Sequence, residues 1–217
     1  IPPAFDFAVR PADQPVTDAV ADADFVLVGT TPVTVEVIAS ARRLRLIQQQ
    51  GVGYDNTDVV AAVARGIPVA TCPAGTTSSV AEHVILLVLA VSRHLLLADA
   101  ALRRGEWLRW ELRPSSYDLG GKTVGLLGFG RIGRQVAHLV RAFGAGVIYH
   151  DVMPANAETE RSIGAAFVPF DELLSRSDVL SVHVPFIPET RHIIGATEIA
   201  QMKRSACTAG IAAVPGA

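Results

Sequence analysis

A chain of 217 residues, half of them apolar and 18% charged, holds enough material to bury a core as one large domain or two small ones. Its formal net charge of −2, with acidic and basic residues interspersed, leaves no electrostatic footprint for a nucleic-acid partner. Two cysteines, Cys72 and Cys207, are too few for a disulfide framework and have no metal-ligand spacing, and the longest apolar run, Val84 to Val91, is too short for a membrane span. The expectation is therefore a cytoplasmic protein with no metal and no membrane partner.

In chain order, Phe5 to Val9, Phe25 to Val28, Leu44 to Gln49 and Ile67 to Thr71 read as short apolar strands. The stretches VTDAVADA, TPVTVEVIASARR and NTDVVAAVARG read as helices, with Pro32 in a first turn and Gly66 as a C-terminal stop. Strands alternating with helices imply parallel strands joined by right-handed crossovers, so residues 1–73 are expected to form a small α/β unit. The segment CPAGTTSS marks the boundary. Beyond it a long helix, from about Val80 to Leu102, is apolar on most faces and is expected to lie between layers. The basic stretch Leu102 to Arg113 also carries two Glu and reads as a solvated helix end.

The second unit, residues 74–217, reads as strand KTVGLLG, helix RIGRQVAHLVRAF, strand GVIYHD, helix PFDELLSRSD, strand VLSVHVP and a last helical patch in TRHIIGATEIAQMK. Within it, Gly128, Gly130 and Gly133 form G-x-G-x-x-G. That pattern is weak alone, but here an apolar strand leads in and an amphipathic helix leads out. A second strand ends at Asp151, 18 residues past Gly133. This is the context that a dinucleotide-binding fingerprint requires. Gly128 permits a tight turn, Gly130 lets the backbone approach a pyrophosphate, and Gly133 lets the helix close on the sheet. The helix N-terminus offers unpaired N–H groups to phosphate. Asp151 can accept hydrogen bonds from both ribose hydroxyls. The following segment DVMPAN holds no Arg or Lys for a 2′-phosphate, which favours NAD over NADP.

Four stretches in order, QQGVGYDNTD, TTSSVAEH, LGFGRIG and VHVPFIPETRHIIG, resemble the D-isomer-specific 2-hydroxyacid dehydrogenases. The resemblance implies an α/β fold: a Rossmann-type doubly wound parallel sheet with a second, smaller flavodoxin-like α/β domain. It implies NAD as cofactor, a small-molecule 2-hydroxy or 2-keto acid as substrate, and a homodimer or self-associating chain. The loop carrying Val52 and Gly53 would offer backbone amides to the substrate carboxylate, which a glycine-flanked turn can do as an anion-binding nest. Thr77 and Val80 would touch the nicotinamide side of the cofactor. Arg131 and Ile132 would lie beside the pyrophosphate, and Val184, Pro185 and Thr190 would line the cofactor crevice. Taken alone, Pro185 and Thr190 fit a plain turn equally well.

The family's proton-transfer histidine comes later in the chain, so His183 reads as structural or cofactor-adjacent. His83, His94, His138, His150 and His192 have no acidic partner at a suggestive spacing. The family also uses an Arg in Asn-Thr-Ala-Arg-Gly, and farther on a Glu and a His. Counting forward from QMKRSA places Ala213 at the Arg, and Pro215 and Gly216 follow it. No catalytic residue is therefore assigned, and the sequence is expected to be truncated or frame-altered and nearly inactive. The alternative in another functional class is a non-catalytic NAD(H)-binding regulator of the co-repressor type.

Overall fold

The computed structural model describes residues 6–73 and 75–210, which fall into two units, Ile1–Gly75 and Thr76–Ala217. The first holds α1 (Val16–Val20), β1 (Phe25–Val28), α2 (Val35–Ser40), β2 (Leu46–Gln49), α3 (Val59–Ala64) and β3 (Val69–Ala70). Its strands pair in parallel in the order β1-β2-β3, the pairing that strand–helix–strand connections give. Val28, Ile38, Ile47 and Ala62 fill the core that closes the helices onto this sheet.

Two local expectations change. Residues 6–10 form no strand: Phe7 and Val9 alternate correctly, yet both are exposed, so no buried face holds the extended form. Pro32 lies in the loop before α2, whose N-cap position is Thr34, rather than in its first turn. Gly66, in contrast, stops its helix as read. It sits one residue beyond the α3 cap with φ +69, a conformation that glycine adopts without strain.

The second unit holds α4 (Thr77–Ser92), α5 (Leu95–Arg103), α6 (Arg109–Leu112), β4 (Thr123–Leu127), α7 (Arg131–Ala142) and β5 (Gly146–His150). It continues with α8 (Ala157–Ile163), β6 (Ala165–Phe167), α9 (Phe170–Arg176), β7 (Val179–Val182), a 3-10 turn (Pro188–Thr190), α10 (Ala196–Gln201) and β8 (Cys207–Gly210). All five strands are parallel, in the order β6-β5-β4-β7-β8. Helices α4, α7 and α8 pack on one face through Ala81, Val84, Val136, Val140 and Ile163. On the other face α9 packs through Leu173 and Leu174, with Met202, just past α10, alongside. This is a doubly wound α/β sheet, and strand order reverses at β4.

The expected long helix is two helices. Ser92 at its break turns its hydroxyl back onto the Val88 carbonyl, 2.6 Å away, and His94 takes a left-handed φ of 51. The arms α4 and α5 bend by 62°, and among the described residues no single helix is long and apolar enough to cross a membrane. Nor does either lie between layers: α4 buries one face, through Ala81, Val84, Ile85 and Val88, and leaves Leu86 and Val91 exposed on the other. Leu95, Leu96 and Leu97 of α5 stay exposed, with Leu96 at 84%. Ala213, Pro215 and Gly216 lie outside the described residues.

Candidate dinucleotide site

Parallel strands in register bring their carboxyl ends to one edge. Leu127 pairs with His150 on one side and with Val182 on the other, so Gly128, Asp151 and His183 each lie one residue past the same row. The backbone closes this edge: Gly128 N–H donates to His150 O at 2.8 Å, and His183 N–H donates to Leu127 O at 2.7 Å. Because strand order reverses at β4, this edge is where an open α/β sheet presents a crevice to ligands.

Each glycine of the motif has a distinct geometric reason. At Gly128, φ is +95 and an added Cβ would meet the His183 carbonyl group at 2.9 Å. At Gly133, a Cβ would lie 2.3 Å from Gly128 O, so α7 could not seat against the turn. At Gly130 an added Cβ meets nothing within 4 Å. That bare backbone faces open space at the N-cap of the 12-residue α7. The N–H groups of Arg131 and Ile132 follow, in a first turn that supplies no carbonyl to bond them. Unpaired amides, a helix dipole and an unobstructed approach fit a pyrophosphate without any charged side chain.

Asp151 is tied to the same turn. Its Oδ2 accepts the Phe129 N–H at 2.6 Å, while Oδ1 has only a 3.5 Å contact from Met153 N–H. One carboxylate oxygen thus fixes the glycine turn and the other keeps capacity for a ribose hydroxyl. The sequence reading found the carboxylate but missed its bond to the backbone, because no pattern encodes which amide faces it. Residues 152 and 153 are highly exposed, Val152 at 96%, and bring no cation to this edge.

His183 stands behind the turn rather than in front of it. Its ring lies 3.8 Å from where a Cβ at Gly133 would stand, and its Nε2 is 2.9 Å from the hydroxyl of fully buried Ser181. Burial pushes its pKa down from 6.5 to about 4, so the ring is neutral and structural at physiological pH. A histidine depressed in the fold stabilises it fully above pH 6.5, and that contribution is lost as pH falls from 6.5 toward 4. About 3 kcal/mol is at stake. His183→Gln is therefore expected to flatten the fall in denaturation free energy between pH 6.5 and 4, followed by chemical denaturation across that range. An unchanged pH slope would contradict the assignment.

The remaining predicted residues divide. Val184 packs with Leu127 and Leu180 at the end of β7. Thr190 staples the next loop, its hydroxyl donating to Pro185 O and accepting the Ile187 N–H. That is the turn role that was open in the sequence. Thr77 and Val80 lie in the first turn of α4, whose buried face packs on α7, and among the described residues no hydrogen bond joins their side chains to the glycine turn. Val52 and Gly53 belong to the first unit. Gln49 donates to Asn56 and Thr57, and Asn56 reaches Gly29 O and Thr31 O, so the loop is pinned at its C-terminal end. Its tip is open, with Val52 52% exposed. Neither Gly51 nor Gly53 has left-handed φ, so the expected nest of alternating backbone hand does not form. The chain instead bends at Gly51 and Val52, with Val52 and Gly53 exposed.

Open amides at a helix start, an acidic residue one strand over and a strand-order reversal between them define a dinucleotide-binding α/β domain. Residues 85–212 match the family described as the NAD binding domain of D-isomer specific 2-hydroxyacid dehydrogenases, and the chain belongs to that family. The cofactor of that domain is NAD. Among its relatives, a glyoxylate reductase of Korarchaeum cryptofilum is 37% identical over 199 residues, covering 90% of this chain and 60% of that protein. A D-3-phosphoglycerate dehydrogenase of Mycobacterium leprae is 45% identical over 188 residues, covering 85% of this chain and 35% of its own length. The chain thus spans about 60% or less of these relatives. Among solved structures, D-lactate dehydrogenase of Aquifex aeolicus, complexed with NAD and lactic acid, superposes with TM-score 0.82 at 30% identity, covering 93% of this chain and 60% of that one.

Proposed function

We propose that this chain supplies the cofactor-holding part of an NAD-dependent dehydrogenase that interconverts a small 2-hydroxy acid and its 2-keto acid. The observation that carries the reading is the bare Gly130 backbone at the start of α7, facing open space beside the Asp151 carboxylate. When bound, NAD accepts or delivers the hydride. Gly130, Arg131 and Ile132 would hold its pyrophosphate, Asp151 its ribose, and Val184, Pro185 and Thr190 would border the crevice. Thr77 and Val80 would meet the nicotinamide side, and the backbone amides of Val52 and Gly53 would hold a substrate carboxylate.

The same reading gives this 217-residue polypeptide cofactor binding without appreciable turnover. Ala213 stands where the resemblance calls for an Arg, and a methyl group can neither fix a carboxylate nor polarise a keto oxygen. Exposed Leu95, Leu96 and Leu97, with Trp107 71% and Trp110 63% exposed, support self-association, and two free thiols fit a reducing cytoplasm. Titration with NADH followed by fluorescence should show weak, saturable binding, while NADH oxidation with glyoxylate should stay at background. Rapid oxidation would refute the assignment of inactivity, and no binding would refute the cofactor site. The regulator alternative would require partner capture that depends on NADH, and no feature of the site favours it.

A further inference from the structure

The segment Asp151 to Asn156 decides which ribose the edge accepts, yet its middle is anchored by no side chain of its own, Val152 and Met153 being 96% and 78% exposed. Both its ends lead to one residue. At the start, Asp151 accepts the N–H of Phe129, whose ring stacks on Tyr149 with centroids 3.9 Å apart and planes at 16°. At the far end, Ala155 N–H donates to the Tyr149 hydroxyl at 2.8 Å. That hydroxyl in turn donates to Glu160 Oε1 at 2.8 Å, and the same oxygen accepts Phe167 N–H at 3.3 Å. Tyr149, the penultimate residue of β5, is fully buried, and Phe167 packs edge-on against its ring at 5.6 Å.

We infer that Tyr149, locked by Glu160, is a positioning residue that fixes the adenosine-ribose loop relative to the glycine turn and so sets the preference for a free 2′-hydroxyl. The ring supports the turn from below through Phe129, and the hydroxyl holds the return of the loop through Ala155. With both ends tied to one rigid aromatic group, Asp151 keeps the orientation that rejects a phosphate by charge. Without the hydroxyl, Ala155 N–H and Glu160 lose their common partner, and the return of the loop keeps only the Asn156 cap on α8, with no tie to the glycine turn.

This inference rests on the cofactor reading, and its test separates the two. Tyr149→Phe keeps the ring stack and removes only the hydroxyl. It should weaken NADH about five- to tenfold, the effect of one lost hydrogen bond, and should weaken ADP-ribose by the same factor. The ratio of NADH to NADPH affinity should fall, and the Ala155 amide should lose protection from hydrogen exchange in the cofactor-free protein. Glu160→Gln retains an acceptor oxygen and should behave as wild type, whereas Glu160→Ala frees the hydroxyl but leaves it able to accept Ala155 N–H, and should lower the ratio less than Tyr149→Phe does. Thermal melting verifies that each variant is folded, and a purely structural role would shift melting without moving the affinity ratio. Wild-type binding with an unchanged ratio in Tyr149→Phe overturns this inference alone. Failure of wild-type protein to bind NADH overturns the cofactor reading and this inference with it.

Discussion

Gly133→Ala and Gly130→Ala, one methyl group each and three residues apart, are expected to fail in opposite ways. At Gly133 the new Cβ falls 2.3 Å from a backbone oxygen of Gly128, which no side-chain rotation can relieve. Helix α7 must lift off the turn, and overpacking of this kind costs about 3 kcal/mol. For a unit of this size that lowers the melting temperature by roughly 10 °C. At Gly130 nothing lies within 4 Å of the added carbon and φ is −73, so the fold should be unaffected, or stabilised slightly through the unfolded chain. The methyl group would instead stand between the first-turn amides and a phosphate. Loss of hydrogen bonds to a charged group predicts NADH affinity lower by roughly 10- to 100-fold. Paired melting curves and NADH titrations read both effects. A Gly130→Ala protein that binds NADH as wild type would mean that the open face is not the phosphate face.

Asp151→Ala should be as damaging to binding and should change its selectivity. It removes the acceptor for Phe129 N–H and the oxygen left for a ribose hydroxyl in one step. Hydrogen bonds to charged groups are worth about 1.5–3 kcal/mol each, so NADH affinity should fall roughly a hundredfold. The carboxylate is also what repels a 2′-phosphate. Combining Asp151→Ala with Val152→Arg, at a position 96% exposed and free to hold a cation, should make NADPH the tighter ligand. Competitive titration of the two nucleotides against the double variant gives the ratio. A double variant that still prefers NADH would place nucleotide discrimination elsewhere.

These effects were legible in the sequence where a residue type meets a backbone requirement. Gly128, Gly133 and Asp151 were read from spacing and context, because a left-handed turn, a close helix approach and a carboxylate at a strand end each admit few residues. The alternation of strand and helix gave parallel pairing for the same reason. Where packing decides, the pattern was silent. No Gly or Pro stands between the apolar stretches on either side of Ser92, Arg93 and His94, so the bend between α4 and α5 is set by a serine bonding its own helix and a histidine in left-handed backbone. Strand β6 is three residues long, too short to show a period. Helix α8 is mostly polar, although Asn156 as its N-cap and Gly164 beyond it were signals that could have located it. The Val52–Gly53 loop looked like a nest because glycines flank it, yet handedness belongs to φ and not to composition. The Tyr149 network joins residues from β5, α8 and β6, and no local window holds all three.

The most direct test of the account is a crystal structure of this chain grown with NADH. The account predicts pyrophosphate density against the amides of Gly130, Arg131 and Ile132, with the adenosine ribose hydrogen-bonded to Asp151. Cofactor density at any other surface, with the Gly130 backbone left facing solvent, would contradict it.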